Sequence, residues 1–345
     1  MRSLARDVIR GARGAVLLVT ATAFAGAGCG GTSAAADDGD RVAPDGSGSS
    51  TIDAPGFPDG GTCGTRTGMR GLTPRTVTVD GLARTYLVYL PPGMDAATPL
   101  PLVTVFHGYT MSGQDMVDVT HFTELADAEH IALAFPDGQG GPNTTGAPWN
   151  IGSAFAVCPS YAGPPPVATG NDFAFMDAMQ LDITEDQCLD LSHRYATGFS
   201  MGGYFSHQVG CQRPDIRAVA PASGGTHDLD ACPSTRKPII IFHGGADNLI
   251  PAGCDDPKAP PVPGHEASAA MWARHNGCGT TTHRLSIQGG HCDVYDNCPA
   301  DGQVELCSFD GMGHCWAGGT PSTFGCPTYA SATQLEWDFF KQYAW

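Results

Sequence analysis

The sequence predicts an α/β domain with a mostly parallel central sheet, helices on both faces and several disulfides. Three observations carry that expectation. A hairpin signal is followed by alternating strand-like and helix-like segments, the order that builds a parallel sheet with crossover helices. Near-continuous apolar runs at 101–106, 131–135 and 238–242 mark strands buried on both faces. Thirteen cysteines stand in a chain that opens with an export-type leader.

Residues 1–28 read as a signal peptide. Arg2, Arg6, Arg10 and Arg13 form a basic start, and 15–25 is an apolar stretch too short to span a bilayer as a helix. Gly26-Ala27-Gly28 then precedes Cys29, as in bacterial lipoprotein signals, where that cysteine is lipidated. Ala25-Gly26-Ala27 equally fits an ordinary A-x-A cleavage site, so a lipid anchor at Cys29 and free secretion both stand. Residues 29–62 are rich in Gly, Ser, Ala and Asp and carry too little apolar surface to offset their ordering entropy. They are expected to be a flexible linker. Residues 63–345 have the length of one domain, with no internal repeat.

The formal charge of −17 argues against nucleic acid or an anionic membrane surface as partner. Any membrane contact is expected through the N-terminal lipid only, and the domain is expected to be a monomer. Setting Cys29 aside leaves an even number of cysteines, which reads as a disulfide framework. There are no C-x-x-C pairs, and neither a metal nor a cofactor is expected.

The elements follow in order. Strands at 75–79 and 84–90 flank the turn signal Asp80-Gly81. A strand at 101–106, a helix at 116–128 and a strand at 131–135 come next. Phe173, Met176, Met179 and Ile183 recur at spacings of three and four, one buried face of a helix. A strand at 191–197 and a helix at 204–211 follow. Strands at 216–220 and 238–242, a helix at 265–275, and strands at 284–287 and 303–309 precede a closing helix at 331–343. Ser331-x-x-Gln334 and Thr333-x-x-Glu336 both fit its capping box.

Chemistry enters between the strand at 191–197 and the helix at 204–211. Gly198-Phe199-Ser200-Met201-Gly202-Gly203 is a G-x-S-x-G turn joining strand to helix. Small residues flank the serine where the two backbones crowd together, which lifts the Ser200 hydroxyl clear of the sheet edge. The Met201 N–H, at a helix start, is left to face an anion. A serine hydroxyl needs a base, and the base needs an orienting acid. Asp247 lies just beyond the carboxyl end of the strand at 238–242. His314 lies in the glycine-rich loop Gly311-Met312-Gly313-His314 after the strand at 303–309. Ser, Asp, His is the chain order of α/β-hydrolases. His314 is then the candidate base and Asp247 the candidate acid. His243 ends a strand and is expected to structure the turn. Asp182, Asp186 and Asp190 precede the serine, where the acid is not expected.

Taken together, Phe106-His107-Gly108, Pro136-Asp137-Gly138, Trp149-Asn150, 195–203, His243-Gly244-Gly245-Ala246-Asp247, Trp272-Ala273, Asn276-Gly277-Cys278 and 311–316 resemble the polyhydroxybutyrate depolymerase and feruloyl esterase family. The resemblance spans nearly all of 70–345. It implies an α/β-hydrolase that cleaves carboxylic esters: feruloyl or acetyl groups on plant xylan, or a polyester. It also implies that the Tyr109 N–H joins that of Met201 in an oxyanion hole, with His107 fixing the loop. His107, Trp149 and Trp316 are expected at the substrate, and Tyr161 and Pro164-Pro165-Pro166 are candidates for stacking on it. Members of the family often carry cysteines at the positions of Cys211 and Cys232, which implies a bridge between them, and Cys278 is expected to pair with Cys298 or Cys307. Met201, Cys315 and Tyr109 depart from the family pattern, which commonly has asparagine, a small residue and cysteine there. A polyhydroxyalkanoate depolymerase and a non-catalytic surface-binding lipoprotein on a hydrolase scaffold are the alternative readings.

If Cys29 is lipidated, the expressed protein fractionates with membranes, and Cys29→Ala releases it. An unlipidated mature chain starting at Gly28 or Cys29 would establish free secretion instead.

Overall fold

The computed structural model describes residues 63, 66, 68–139, 148–151, 170–226, 229–233, 236–250 and 264–343. The leader, Cys29 and the whole of the expected linker, with Tyr161 and 164–166, lie outside the described residues.

The chain runs β1 (Gly71–Val79), β2 (Leu82–Leu90), β3 (Leu100–Phe106), α1 (Gly113–Thr120), α2 (Phe122–Glu129), β4 (Ala132–Pro136), α3 (Asp172–Asp186), β5 (Leu189–Phe199), α4 (Met201–Gln212), β6 (Ala218–Ala222) and β7 (Ile239–Gly244). It continues through α5 (His265–Asn276), β8 (Thr282–Ile287), β9 (Gly290–Tyr295), β10 (Val304–Phe309), β11 (Trp316–Ala317), β12 (Gly325–Cys326) and α6 (Ala332–Phe340). Among the described residues ten strands form one sheet in the order β1-β2-β4-β3-β5-β6-β7-β10-β9-β8. The run from β4 to β10 is parallel, and antiparallel hairpins extend it at both ends.

Apolar side chains fill both faces of that sheet. Along β3, Leu102 and Phe106 join the core beneath α3, α4 and α5, with Phe175, Met179, Phe205, Val209 and Trp272. Val103 and Val105 point the other way, into the core under α1, α2 and α6, with Met116, Phe122, Trp337 and Phe340. This two-sided burial is why the parallel strands read as continuous apolar runs.

The structure differs from the expected elements at 116–128, at β9 and at the short strands β11 and β12, and of the two caps expected for α6 it takes one. The single helix expected at 116–128 is two, α1 and α2, hinged at His121, whose φ is 60°. A capping box between Ser112 and Asp115 starts α1 three residues early, and Thr120 ends it by donating its hydroxyl to Met116 O at 2.6 Å. β9 was not expected, because His291-Cys292-Asp293 carries little apolar alternation; pairing with β8 and β10 and a Cys292–Cys307 bridge make it a strand. In α6 the cap is Ser331, which accepts from Gln334 N, while Thr333 and Glu336 are buried inside the fold.

Five disulfides join described residues: Cys63–Cys188, Cys211–Cys232, Cys278–Cys298, Cys292–Cys307 and Cys315–Cys326. The Cys211–Cys232 pairing is the one the resemblance implies. Of the two partners open to Cys278, it takes Cys298. Cys158 and Cys254 lie outside the described residues.

One contact sets how closely α4 approaches the sheet. A Cβ on Gly202 would lie 2.2 Å from Phe106 O, a backbone atom that cannot swing aside. A Cβ on Gly313 would meet nothing within 4 Å. Urea unfolding should therefore find Gly202→Ala destabilised by about 3 kcal/mol and Gly313→Ala within about 0.5 kcal/mol of the parent.

Candidate active site

Ser200 stands between the end of β5 and the first residue of α4, with φ 57° and ψ −115°. A residue with a Cβ reaches such dihedrals only at a cost of roughly 1–3 kcal/mol, and only where its surroundings leave no alternative. Here the Ser200 N–H donates to Ala222 O at 2.8 Å, and Ser200 O accepts from Tyr204 N at 3.1 Å. A Cβ on Gly198 would lie 2.6 Å from Gly202 O, so the two glycines let the turn fold back on itself. The hydroxyl is thereby presented at the carboxyl edge of the sheet.

Two neighbouring loops reach the same edge. The loop after β10 carries His314, and the loop after β7 carries Asp247. Backbone bonds lock them together: Gly245 N to Phe309 O and Ala246 N to Met312 O, both 2.8 Å. His314 Nδ1 lies 2.7 Å from Asp247 Oδ2, and His314 Nε2 lies 2.9 Å from Ser200 Oγ. An ionised carboxylate only accepts, so Nδ1–H donates to Asp247, which leaves Nε2 to accept from the Ser200 hydroxyl. The Phe199 ring, 4.7 Å from the imidazole between centroids, packs against it.

Asp247 is buried, and burial alone would push its carboxyl up. The hydrogen bond and charge of His314 outweigh this and, with the Ile250 N–H, hold it below the usual carboxylate value. Its other oxygen, Oδ1, accepts from Leu249 N at 3.0 Å and Ile250 N at 2.9 Å. These two donors are absent from the expectations drawn from the sequence. An aspartate accepting from the N–H two residues on is an Asx turn, so Asp247-Asn248-Leu249 held the signal.

The loop after β3 completes the edge. A Cβ on Gly108 would lie 3.2 Å from Ser200 Cβ, which places 107–109 directly against the serine. His107 Nδ1–H donates to Gly108 O at 2.7 Å, and Nε2 accepts from Gly138 N at 2.8 Å. Burial lowers the His107 pKa, consistent with a neutral ring that donates at one nitrogen and accepts at the other. The first N–H bonded within α4 is that of Tyr204, so Met201, at the helix start, has no acceptor in its own helix. Among the described residues no backbone acceptor takes the Met201 or the Tyr109 N–H.

The three side chains expected at the substrate are buried. Trp149 is 0 % exposed; it stacks on Phe205 and donates Nε1–H to His107 O at 2.8 Å. Trp316 is 1 % exposed, in β11, and donates to Thr333 Oγ1 at 3.1 Å. His107 is 0 % exposed. A ring with no exposed face has none to offer a ligand, so these side chains support the site's loops from beneath. Cys315, the residue departing from the family pattern beside His314, is also buried. Its bridge to Cys326 and the pairing of β11 with β12 tie down the chain that follows His314.

Residues 177–257, which contain Ser200 and Asp247, match the dienelactone hydrolase family. The chain is 28 % identical over 274 residues to feruloyl esterase B of Piromyces equi, covering 76 % of this chain and 45 % of that protein. It is also 28 % identical over 267 residues to feruloyl esterase C of Emericella nidulans, covering 74 % and 83 %. In fold it is similar to an acetyl xylan esterase from Aspergillus awamori, with a TM-score of 0.53 at 14 % identity over 78 % of this chain and 99 % of that one. By fold the chain is an α/β-hydrolase, and in sequence it is similar to feruloyl esterases.

Proposed function

We propose that this α/β-hydrolase is an exported serine esterase that cleaves carboxylic esters through an acyl-enzyme, and that its substrates are feruloyl or acetyl esters of plant cell-wall polysaccharide. The observation that carries the reading is the hydrogen-bonded chain Ser200–His314–Asp247, built on a strained serine. The feruloyl esterase relatives support the substrate class. Five disulfides among the described residues favour an oxidising compartment and so support export.

In this reading Ser200 Oγ attacks the ester carbonyl carbon while His314 Nε2 takes its proton. Asp247, acceptor-only and gripped from three sides, stabilises the imidazolium. The Met201 and Tyr109 N–H groups receive the negative charge on the former carbonyl oxygen. Collapse of that intermediate expels the alcohol, which leaves with the proton from His314. Water then attacks the acyl-serine, giving its proton to the same nitrogen, and collapse of the second intermediate releases the acid as His314 returns that proton to Ser200 Oγ. Asp247 binds its proton less readily in the folded protein than in the unfolded chain. Its interactions therefore contribute stability above about pH 4 and lose it only as the pH falls through the lowered folded value.

Ser200→Ala, His314→Ala and Asp247→Asn should each lower turnover of a nitrophenyl acetate by orders of magnitude with the fold intact, and the losses should not add. Full activity in Asp247→Asn would remove Asp247 as the acid. Absence of turnover by the parent would leave a binding protein on a hydrolase scaffold. A side-by-side panel of feruloyl, acetyl and hydroxybutyrate esters tests the substrate class, with the first two expected to be preferred.

A further inference from the structure

Behind the acid lie two buried imidazoles outside the Ser200–His314–Asp247 chain. His243 is the fifth residue of β7, and His265 opens α5. Their rings stack with centroids 4.4 Å apart and planes 15° apart. His243 is 1 % exposed, and its Nε2 lies 2.7 Å from Ile250 O and 3.7 Å from Asp247 Oδ2. Only a protonated nitrogen can bond a carbonyl oxygen, so Nε2–H donates to Ile250 O. The other nitrogen, Nδ1, has no hydrogen-bond partner among the described residues, and neither has His265 Nδ1.

Ile250 thus closes a small ring of contacts. Its carbonyl is held by His243, and its N–H, with that of Leu249, grips Asp247 Oδ1. With Oδ1 taken, Oδ2 is the oxygen left for His314. We propose that His243 is a positioning residue for the acid: by anchoring Ile250 O it keeps the 247–250 turn closed, and the closed turn aims Asp247 Oδ2 at His314. The proposal rests on Asp247 serving as the acid.

The charge state of His243 belongs to the same arrangement. The groups that face it are Asp247 on its own loop, His265 stacked on its ring, and His314 beyond the acid, with Glu266 next to His265. Burial, above all, keeps His243 neutral against the pull of Asp247, and burial with the neighbouring His243 lowers His265 to about 4. A neutral His243 leaves the Asp247 charge to His314. A cationic one, 3.7 Å from the same oxygen, would compete for it.

The contrast between glutamine and asparagine isolates the contact. A glutamine side chain can place an N–H where Nε2 stood, whereas asparagine ends near the position of Nδ1. His243→Gln should keep kcat within about 3-fold of the parent, and His243→Asn should lower it about 10- to 100-fold with KM unchanged, the penalty for a misaimed catalytic group. Proton NMR supplies a readout that general loosening would not move selectively. The downfield His314 Nδ1–H resonance, absent in Asp247→Asn, should persist in the glutamine variant and shift or broaden in the asparagine variant. His243→Phe, which keeps a ring against His265, should behave like asparagine and serves in its place if that variant does not fold. Equal losses in all the variants, or parental kcat with an unmoved resonance in His243→Asn, would overturn the proposal. The triad variants test Asp247 separately: parental activity in Asp247→Asn would refute the acid assignment itself.

Discussion

Ser200 is held at φ 57° and ψ −115°, dihedrals that an isolated serine would leave at once. Everything that presents its hydroxyl follows from keeping it there. The strand before it is fixed by parallel pairing with β3 and β6, and the helix after it is pressed against the end of β3. Between them the serine's own N–H and C=O are both bonded, to Ala222 and Tyr204. The chain has no relaxed alternative that keeps these contacts, so the strain is spread over the packing of β3, β5, β6 and α4. Gly202 and Gly198 are the positions where a methyl group would prise that packing apart.

The rest of the site is a problem of aiming three loops at one point. In a parallel sheet the loops after β3, β5, β7 and β10 all leave by the carboxyl edge, so topology brings them close without specifying register. Register comes from short polar contacts. His107 ties the β3 loop to Gly138, Gly245 and Ala246 tie the β7 loop to the β10 loop, and the Asx turn holds Asp247. The disulfides brace this arrangement from behind. Cys292–Cys307 crosses β9 and β10, and Cys315–Cys326 anchors the chain immediately after His314. Large aromatic side chains fill the space below, which is why Trp149 and Trp316 support the edge and do not line it.

Ser200, Asp247 and His314 were legible in the sequence, as were the parallel strands and the helices on both faces. A nucleophile turn needs small residues at fixed offsets, and buried strands need unbroken apolar runs, so both leave local marks. The exposure of a tryptophan leaves none: the ring of Trp149 suits a ligand site and a core equally well, and only the closure of Phe205 and His107 around it decides between them. The hinge at His121 and the strand β9 were hidden for different reasons. The hinge is held by a contact distant in the chain, Thr333 on Thr120 O, while β9 pairs with the neighbouring β8 and β10 but carries too little apolar alternation to mark a strand. Composition and spacing thus determined which groups could act and the order in which they occur. Tertiary packing alone decided which of them meet, because hydrogen-bond geometry and burial belong to residues brought together from different elements.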